Sequence, residues 1–179
     1  KNFANFSFRF VQNREPKESQ IIIPVVSSER REYIPIGFLE KNVVVLNSAN
    51  VIFDAEIYIF GLISSKIHNI WVKTVAGRLK TDYRYTSGIC YNSFPFPNIT
   101  QKQKDEITEL VFTILDEREK HSQKTLAQLY DPDKMPEGLK KAHHNLDIAI
   151  EQCYRSKPFE SDEERLEYLF KMYEEMTSK

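Results

Sequence analysis

The apolar pattern changes its period at one place, and that change limits the possible folds more than any other feature. Before Asn92-Ser93-Phe94-Pro95-Phe96-Pro97 the apolar residues fall in short runs and alternations, and after it they recur at helical spacing. Two prolines so close together forbid a regular element, so the segment marks a boundary. The expected class is α+β: a mixed α/β domain over residues 1–97, then an α-helical segment over 98–179.

In the first part, Phe6-Ser7-Phe8-Arg9-Phe10 alternates with period two, while Ile21-Ile22-Ile23-Pro24-Val25-Val26 and Val43-Val44-Val45-Leu46 are short apolar runs. Each predicts a strand, with Pro24 at an edge or a strand end. Ser27-Ser28-Glu29-Arg30-Arg31-Glu32 predicts an exposed loop. Asp54 is placed to cap a helix over 55–75 that buries Ile57, Phe60, Ile63, Ile67, Ile70 and Trp71, with Gly77 ending it.

In the second part, Thr100 with Gln103 forms a capping box ahead of the stripe Ile107, Leu110, Val111, Ile114 and Leu115. A short turn of helix is expected at 125–130, a helix from Pro136 burying Leu139, Ala142, Leu146, Ala149, Ile150 and Cys153, and a last one capped by Ser161 with Glu164.

With 41% apolar residues, 12 Phe and 9 Tyr, the chain has material for a core. No apolar run reaches the roughly 18 residues that cross a bilayer, so no membrane is expected. Cys90 and Cys153 stand alone, without a CxxC pair, which fits a reducing cytoplasm and leaves the glycosylation-like triplets at Asn5 and Asn98 without consequence. The chain opens on Lys1 rather than Met and is expected to be a piece of a longer one. The net charge of -1 conceals a division: residues 1–97 carry 12 Lys+Arg against 8 Asp+Glu, and residues 98–179 carry 13 against 18. Any polyanion would be met mainly by the first part.

Motifs for catalysis are missing: there is no GxGxxG, P-loop, GxSxG or HExxH. Asp131 and Asp133 flank a proline and read as turn residues rather than an acidic metal cluster. His143, His144, Asp147 and Glu151 lie close on one helix, which cannot enclose a metal alone, so packing or solvated roles are expected.

The informative segment is Arg78-Leu79-Lys80-Thr81-Asp82-Tyr83-Arg84-Tyr85. If extended, it projects Lys80, Asp82 and Arg84 from one face and Thr81, Tyr83 and Tyr85 from the other. A donor, an acceptor and a forked donor in a row suit the DNA major groove, where Lys or Arg donates to guanine O6 and N7 and Asp accepts from cytosine N4. A surface strand whose alternating charges pair with one another has the same spacing. Ser27, Ser28, Arg30 and Arg31 suit phosphate oxygens, as would an ordinary solvated loop, and Tyr83 has a ring suited to stacking.

Four runs in order resemble a known family: Ser27-Ser28-Glu29-Arg30-Arg31-Glu32-Tyr33-Ile34-Pro35, Gly77 to Tyr85, Asn92 to Pro97, and Leu129-Tyr130-Asp131-Pro132-Asp133-Lys134-Met135-Pro136 with Ala142-His143. Together they are similar to the C-terminal region of MmeI-like type II restriction-modification enzymes. In that family one polypeptide carries a nuclease, a helical connector, an N6-adenine methyltransferase, a target recognition domain and a helical C-terminal segment, and the resemblance covers the last two.

The resemblance implies a module that selects a double-stranded DNA sequence and performs no catalysis itself. Its partners would be the DNA and the methyltransferase domain of the same polypeptide. It implies no cofactor in this part, and S-adenosylmethionine and Mg2+ for the full-length parent. By the same resemblance, Lys80 and Asp82 act together on one base pair, Arg84 helps to read an inner pair, and a further specificity position falls at Asn47, Ser48 or Ala49, with Ser48 the choice. Ser27, Ser28, Arg30, Arg31, Arg78 and Tyr83 are the expected backbone contacts. The exit through residues 95–100 also resembles type I specificity subunits, and a protein-interaction module docking through its acidic helices is the alternative of a different class.

Overall fold

The computed structural model describes residues 16–178, so the strand expected at 6–10 lies outside the described residues. Strand β1 (Ser19–Pro24) is the centre of an antiparallel sheet in the order β3-β1-β4, with β3 (Gly37–Glu40) and β4 (Ala49–Phe53). Ile21 and Ile23 face the core at 1% exposure, and Pro24 sits at the strand end, where its missing N–H costs nothing. Val25 then carries the chain into a second antiparallel sheet, order β2-β6-β5, made of β2 (Val26–Ser27), β6 (Asp82–Arg84) and β5 (Gly77–Leu79).

Four expectations are corrected. Val43 to Leu46 is not a strand; it lies between β3 and β4 with Val44 64% and Leu46 63% exposed. The register on β1 is filled by Ala49 to Phe53, and the Gln20 amide donates to the Glu40 and Val43 carbonyls, which fixes the intervening chain as a loop. Strand propensity alone cannot choose between neighbouring runs of this kind.

The helix expected over 55–75 is two helices, α1 (Ile57–Ser64) and α2 (Lys66–Val75). Ser65 is extended at φ -72°, ψ 159°, and caps α2 by accepting from the His68 N–H. Asn69 bridges the break: its amide nitrogen donates to the Ser65 carbonyl at 2.6 Å, and its oxygen accepts from the Ile34 N–H at 3.0 Å. Asp54 does not cap α1. It stands at φ 52°, and its carboxylate accepts from the Lys17 and Glu18 N–H groups, contacts that lower its pKa. Gly77 opens β5, and Ala76 is the cap of α2.

The helical part follows the sequence closely. It comprises α3 (Gln101–Glu119), α4 (Leu126–Leu129), α5 (Glu137–Tyr154) and α6 (Asp162–Thr177). Thr100 and Gln103 form the capping box, and the Ser161 hydroxyl accepts from the Glu164 N–H. A second box, Thr125 with Gln128, starts α4.

The core does not stop at the expected boundary. One buried cluster runs from Ile21, Phe60 and Trp71 through Ile107 and Val111 to Leu139 and Leu146. The proline segment is a buried strap: Phe94 is 1% exposed, and the Pro95 carbonyl accepts from the Tyr154 hydroxyl. Helix α1 meets α3 at Gly61, the only residue type whose bare backbone fits there. A Cβ at position 61 would stand 2.6 Å from Ile107 Cγ2 and 3.1 Å from Val111 Cγ2.

Buried polar groups tie the two parts further. Arg118 on α3 donates to the Ile36 carbonyl and to the Tyr130 hydroxyl. Arg118 can only donate, so the Tyr130 proton goes to His143 Nε2 at 2.7 Å, and His143 is neutral with its proton on Nδ1. Burial, helped by Arg118, pushes the His143 pKa down to about 3. His143 stacks on Tyr33 at 4.2 Å, and the Tyr33 hydroxyl donates to Asp147 at 2.7 Å.

Gly61→Ala should destabilise the chain by about 1–3 kcal/mol through overpacking, measured as a lowered urea midpoint. Helix propensity by itself favours Ala by roughly 1 kcal/mol, so a stabilised variant would contradict the close approach of α1 and α3.

Candidate functional site

Strands β5 and β6 form a hairpin in which Leu79 pairs with Asp82, leaving Lys80-Thr81 as a two-residue turn. Residues 78–85 are therefore not one extended strand, and Lys80 does not share a strand face with Asp82 and Arg84. It sits at the tip with φ 57°, in the left-handed region that costs an L-residue about 1–2 kcal/mol. The sequence hid the turn because neither Gly nor Asn occupies it.

Cross-strand register sorts the side chains into two faces. Ser27, Tyr83 and Arg78 are opposite one another and share the inner face. There the Arg78 guanidinium lies 4.1 Å above the Tyr83 ring, donates to the Thr81 carbonyl at 2.8 Å and pairs with Glu29 at 3.1 Å. Arg78 thus braces the turn from behind. Ser27 is buried, and its hydroxyl has no partner among the described residues.

The outer face carries Asp82 beside Leu79, and Arg84 between Val26 and Gly77. Lys80 and Arg84 are exposed and Asp82 is half-buried. Among the described residues, none of the three side chains makes a hydrogen bond or a salt bridge; the charges do not pair with one another. Gly77 leaves open space beside Arg84, since a Cβ there would meet nothing within 4 Å.

Ser48 is exposed at the entry to β4, and backbone bonds connect it to the same sheet. Its carbonyl accepts from the Val25 N–H at 3.0 Å, and the Val25 carbonyl accepts from the Tyr85 N–H at 2.8 Å. The Asn50 amide adds a second tie to the Tyr85 carbonyl. Beneath this junction Tyr85 is buried with its hydroxyl 3.1 Å from His68 Nε2, and burial pushes the His68 pKa down to about 3. The recognition candidates Lys80, Asp82, Arg84 and Ser48 therefore all sit on strands or turns anchored by one ladder.

The loop after β2 is placed differently. The Ser28 hydroxyl accepts from the Arg30 N–H, Arg30 pairs with Asp133 at 2.7 Å, and Arg31 donates to the Ala127 carbonyl at 3.4 Å. Both partners of the Arg30–Asp133 pair are about two-thirds exposed (66% and 67%), so its energetic worth is small, about 0–1 kcal/mol. Its effect is positional: it fixes the loop between the hairpin and the helical part. No local signal marks Arg30 as the partner of a residue 103 positions away.

Asp133 belongs to a turn, its N–H donating to the Asp131 carboxylate. His143 and Asp147 are buried within the packing while His144 is exposed, and no group of three or more His, Cys, Asp or Glu converges among the described residues. No helix of the described residues is long and apolar enough to cross a membrane. Trp71 is core, at 1% exposure against Phe94, Phe170 and Tyr173.

Comparison with known proteins agrees with this architecture. The family model "MmeI, target recognition domain" matches residues 1–98, and "MmeI, C-terminal domain" matches residues 99–179. DNA methyltransferase A of Bacillus subtilis (strain 168) is 51% identical over 172 residues, which is 96% of this chain and 20% of that protein. The solved structure of the type IIL restriction-modification enzyme MmeI in complex with DNA is similar at a TM-score of 0.93 and 41% identity, over 99% of this chain and 24% of that one. This chain spans about a fifth to a quarter of the length of these relatives. It belongs to the MmeI family and comprises that family's target recognition and C-terminal domains.

Proposed function

We propose that this chain selects a double-stranded DNA sequence by presenting the outer face and tip of the β5–β6 hairpin to the major groove. The observation that carries the reading is the state of Lys80, Asp82 and Arg84. A donor, an acceptor and a forked donor stand within five residues on an exposed hairpin with no partner of their own among the described residues. Base edges offer the complement: guanine O6 and N7 to Lys80, cytosine N4 to Asp82, and a second guanine to Arg84. Such pairs discriminate by about 1–3 kcal/mol each.

The hairpin is stiff where recognition needs it. Arg78 locks the turn from the inner face, and the Ser48–Val25–Tyr85 ladder fixes the base of β6 on the first sheet. Ser48 stands beside this ladder and is the next candidate for base reading. The strained φ of Lys80 fits a turn shaped by what it presents rather than by its own stability. Ser27, Ser28, Arg30, Arg31, Arg78 and Tyr83 remain the proposed backbone contacts, but Arg30, Arg31 and Arg78 also hold the loop and the hairpin, and Ser27 is buried, so positioning is their first task.

On this reading the chain performs no chemistry and works within a longer cytoplasmic polypeptide. The methyltransferase domain of that polypeptide would be its partner, using S-adenosylmethionine for N6-adenine methylation, with a Mg2+-dependent nuclease elsewhere. The similarity to a DNA methyltransferase and to a restriction-modification enzyme in complex with DNA supports a place for this chain within a longer DNA-modifying polypeptide.

Lys80→Glu combined with Asp82→Arg, placed in the full-length protein, exchanges donor and acceptor. Sequencing of methylated sites should show one position of the recognised sequence changed from G to C and the others kept; unchanged sites in a folded, active variant would reject the reading. Lys80→Gly should relieve the left-handed strain and raise stability by up to about 1 kcal/mol in urea unfolding, while relaxing discrimination at that same position. Intact discrimination in Lys80→Gly would remove Lys80 from the reading set.

A further inference from the structure

The outer face of the hairpin carries an apolar side chain that neither the core nor the charge pattern accounts for. Leu79 is 53% exposed and directly opposite Asp82 in the β5–β6 register, so the two side chains leave the same face as neighbours. A closing pair of a short hairpin gains from two side chains that attract each other, and a leucine against a carboxylate offers little of that. Position 79 is better explained by what lies in front of it.

Major-groove base edges present one apolar group, the methyl on pyrimidine C5. In cytosine, C5 is bonded to C4, the carbon that bears the N4 amine. A carboxylate that accepts from N4 therefore has the C5 edge of the same base beside it. Cross-strand side chains in an antiparallel pair are about 5 Å apart, which spans the step from an N4 acceptor to a group over C5. Leu79 is the side chain on that step.

We propose that Leu79 reads the C5 edge of the cytosine held by Asp82, so that the chain accepts, and prefers, a 5-methylated cytosine at that one position. This rests on the base-reading function proposed above and adds to it a sensitivity to modified DNA. The neighbouring chemistry argues for direction as well as tolerance. The methyl would enter contact with an apolar side chain already in the solvent, and both lose water on contact. Val26, 38% exposed on the same face, is paired with Arg84 and lies on the far side of β6, so it is not on the Asp82 step.

The test uses the full-length protein. The Lys80→Glu with Asp82→Arg variant first locates the base pair in the recognised sequence. Duplexes carrying that sequence are then made with cytosine or 5-methylcytosine at the single cytosine of this pair, and affinity is measured at fixed salt. Burial of one methyl predicts about a 3- to 4-fold tighter complex for the wild type with the methylated duplex. Leu79→Ala should bring the ratio of the two affinities close to one, and Leu79→Asp should invert it. A methyl that weakens wild-type binding, or a ratio that Leu79→Ala leaves unchanged, overturns the inference while leaving the base reading intact. If the double variant keeps the wild-type sites, the base reading has failed, and the role of Leu79 falls with it.

Discussion

The carboxylate of Asp147 is the interaction on which the candidate site depends. It lies in the middle of α5 at 5% exposure, accepts from the Lys66 N–H at the start of α2, and accepts from the Tyr33 hydroxyl, both at 2.7 Å. Each of these partners leads directly to the hairpin sheet. Tyr33 lies within the loop that joins β2 to β3, and α2 delivers the chain to β5. Burial raises the Asp147 carboxyl to about 7, against the pull of its two hydrogen bonds. A buried acceptor that receives a helix N-terminus gains from the dipole as well as from the bonds. Through this group, α5 holds both the loop after β2 and the start of α2.

The two family domains are therefore one mechanical unit. Gly61 lets α1 and α3 approach, Arg118 reaches across to the Ile36 carbonyl, and Tyr154 reaches back to the Pro95 carbonyl. Recognition of base edges requires donors and acceptors held to within a fraction of an ångström. A three-stranded sheet with strands of two or three residues cannot supply that stiffness alone. The helical part is tied to the loop that follows β2 through Arg30 with Asp133 and Arg31 with the Ala127 carbonyl.

Much of this was legible in the sequence where a local rule applied. The boxes at Thr100 and Ser161, the start at Pro136, the stripe on α3 and the burial of Trp71 all follow from spacing within a few residues. The donor and acceptor types at 80, 82 and 84 are given by the residues themselves, but the single face expected for them is not kept, because Lys80 lies in the turn. The errors share a different cause. Ser64-Ser65 reads as part of a helical stripe until Asn69 and Ile34 are brought to it, and Asp54 reads as a cap until the Lys17 and Glu18 N–H groups arrive. Val43 to Leu46 loses its strand to Ala49 to Phe53 because only the register on β1 decides. The Lys80-Thr81 turn carries no turn residue, so its existence is visible only in the pairing of Leu79 with Asp82. Tertiary partners settled each of these, and none is encoded nearby.

The proposed function requires that the outer face of the β5–β6 hairpin meet base edges in the major groove. A structure of the full-length protein bound to its own recognised duplex tests it most directly. The hairpin should lie within the groove, with a carboxylate oxygen of Asp82 at hydrogen-bond distance from a cytosine N4 and the Lys80 ammonium on the guanine of the same pair. A duplex lying against another surface, with Asp82 and Arg84 left in solvent, would contradict it.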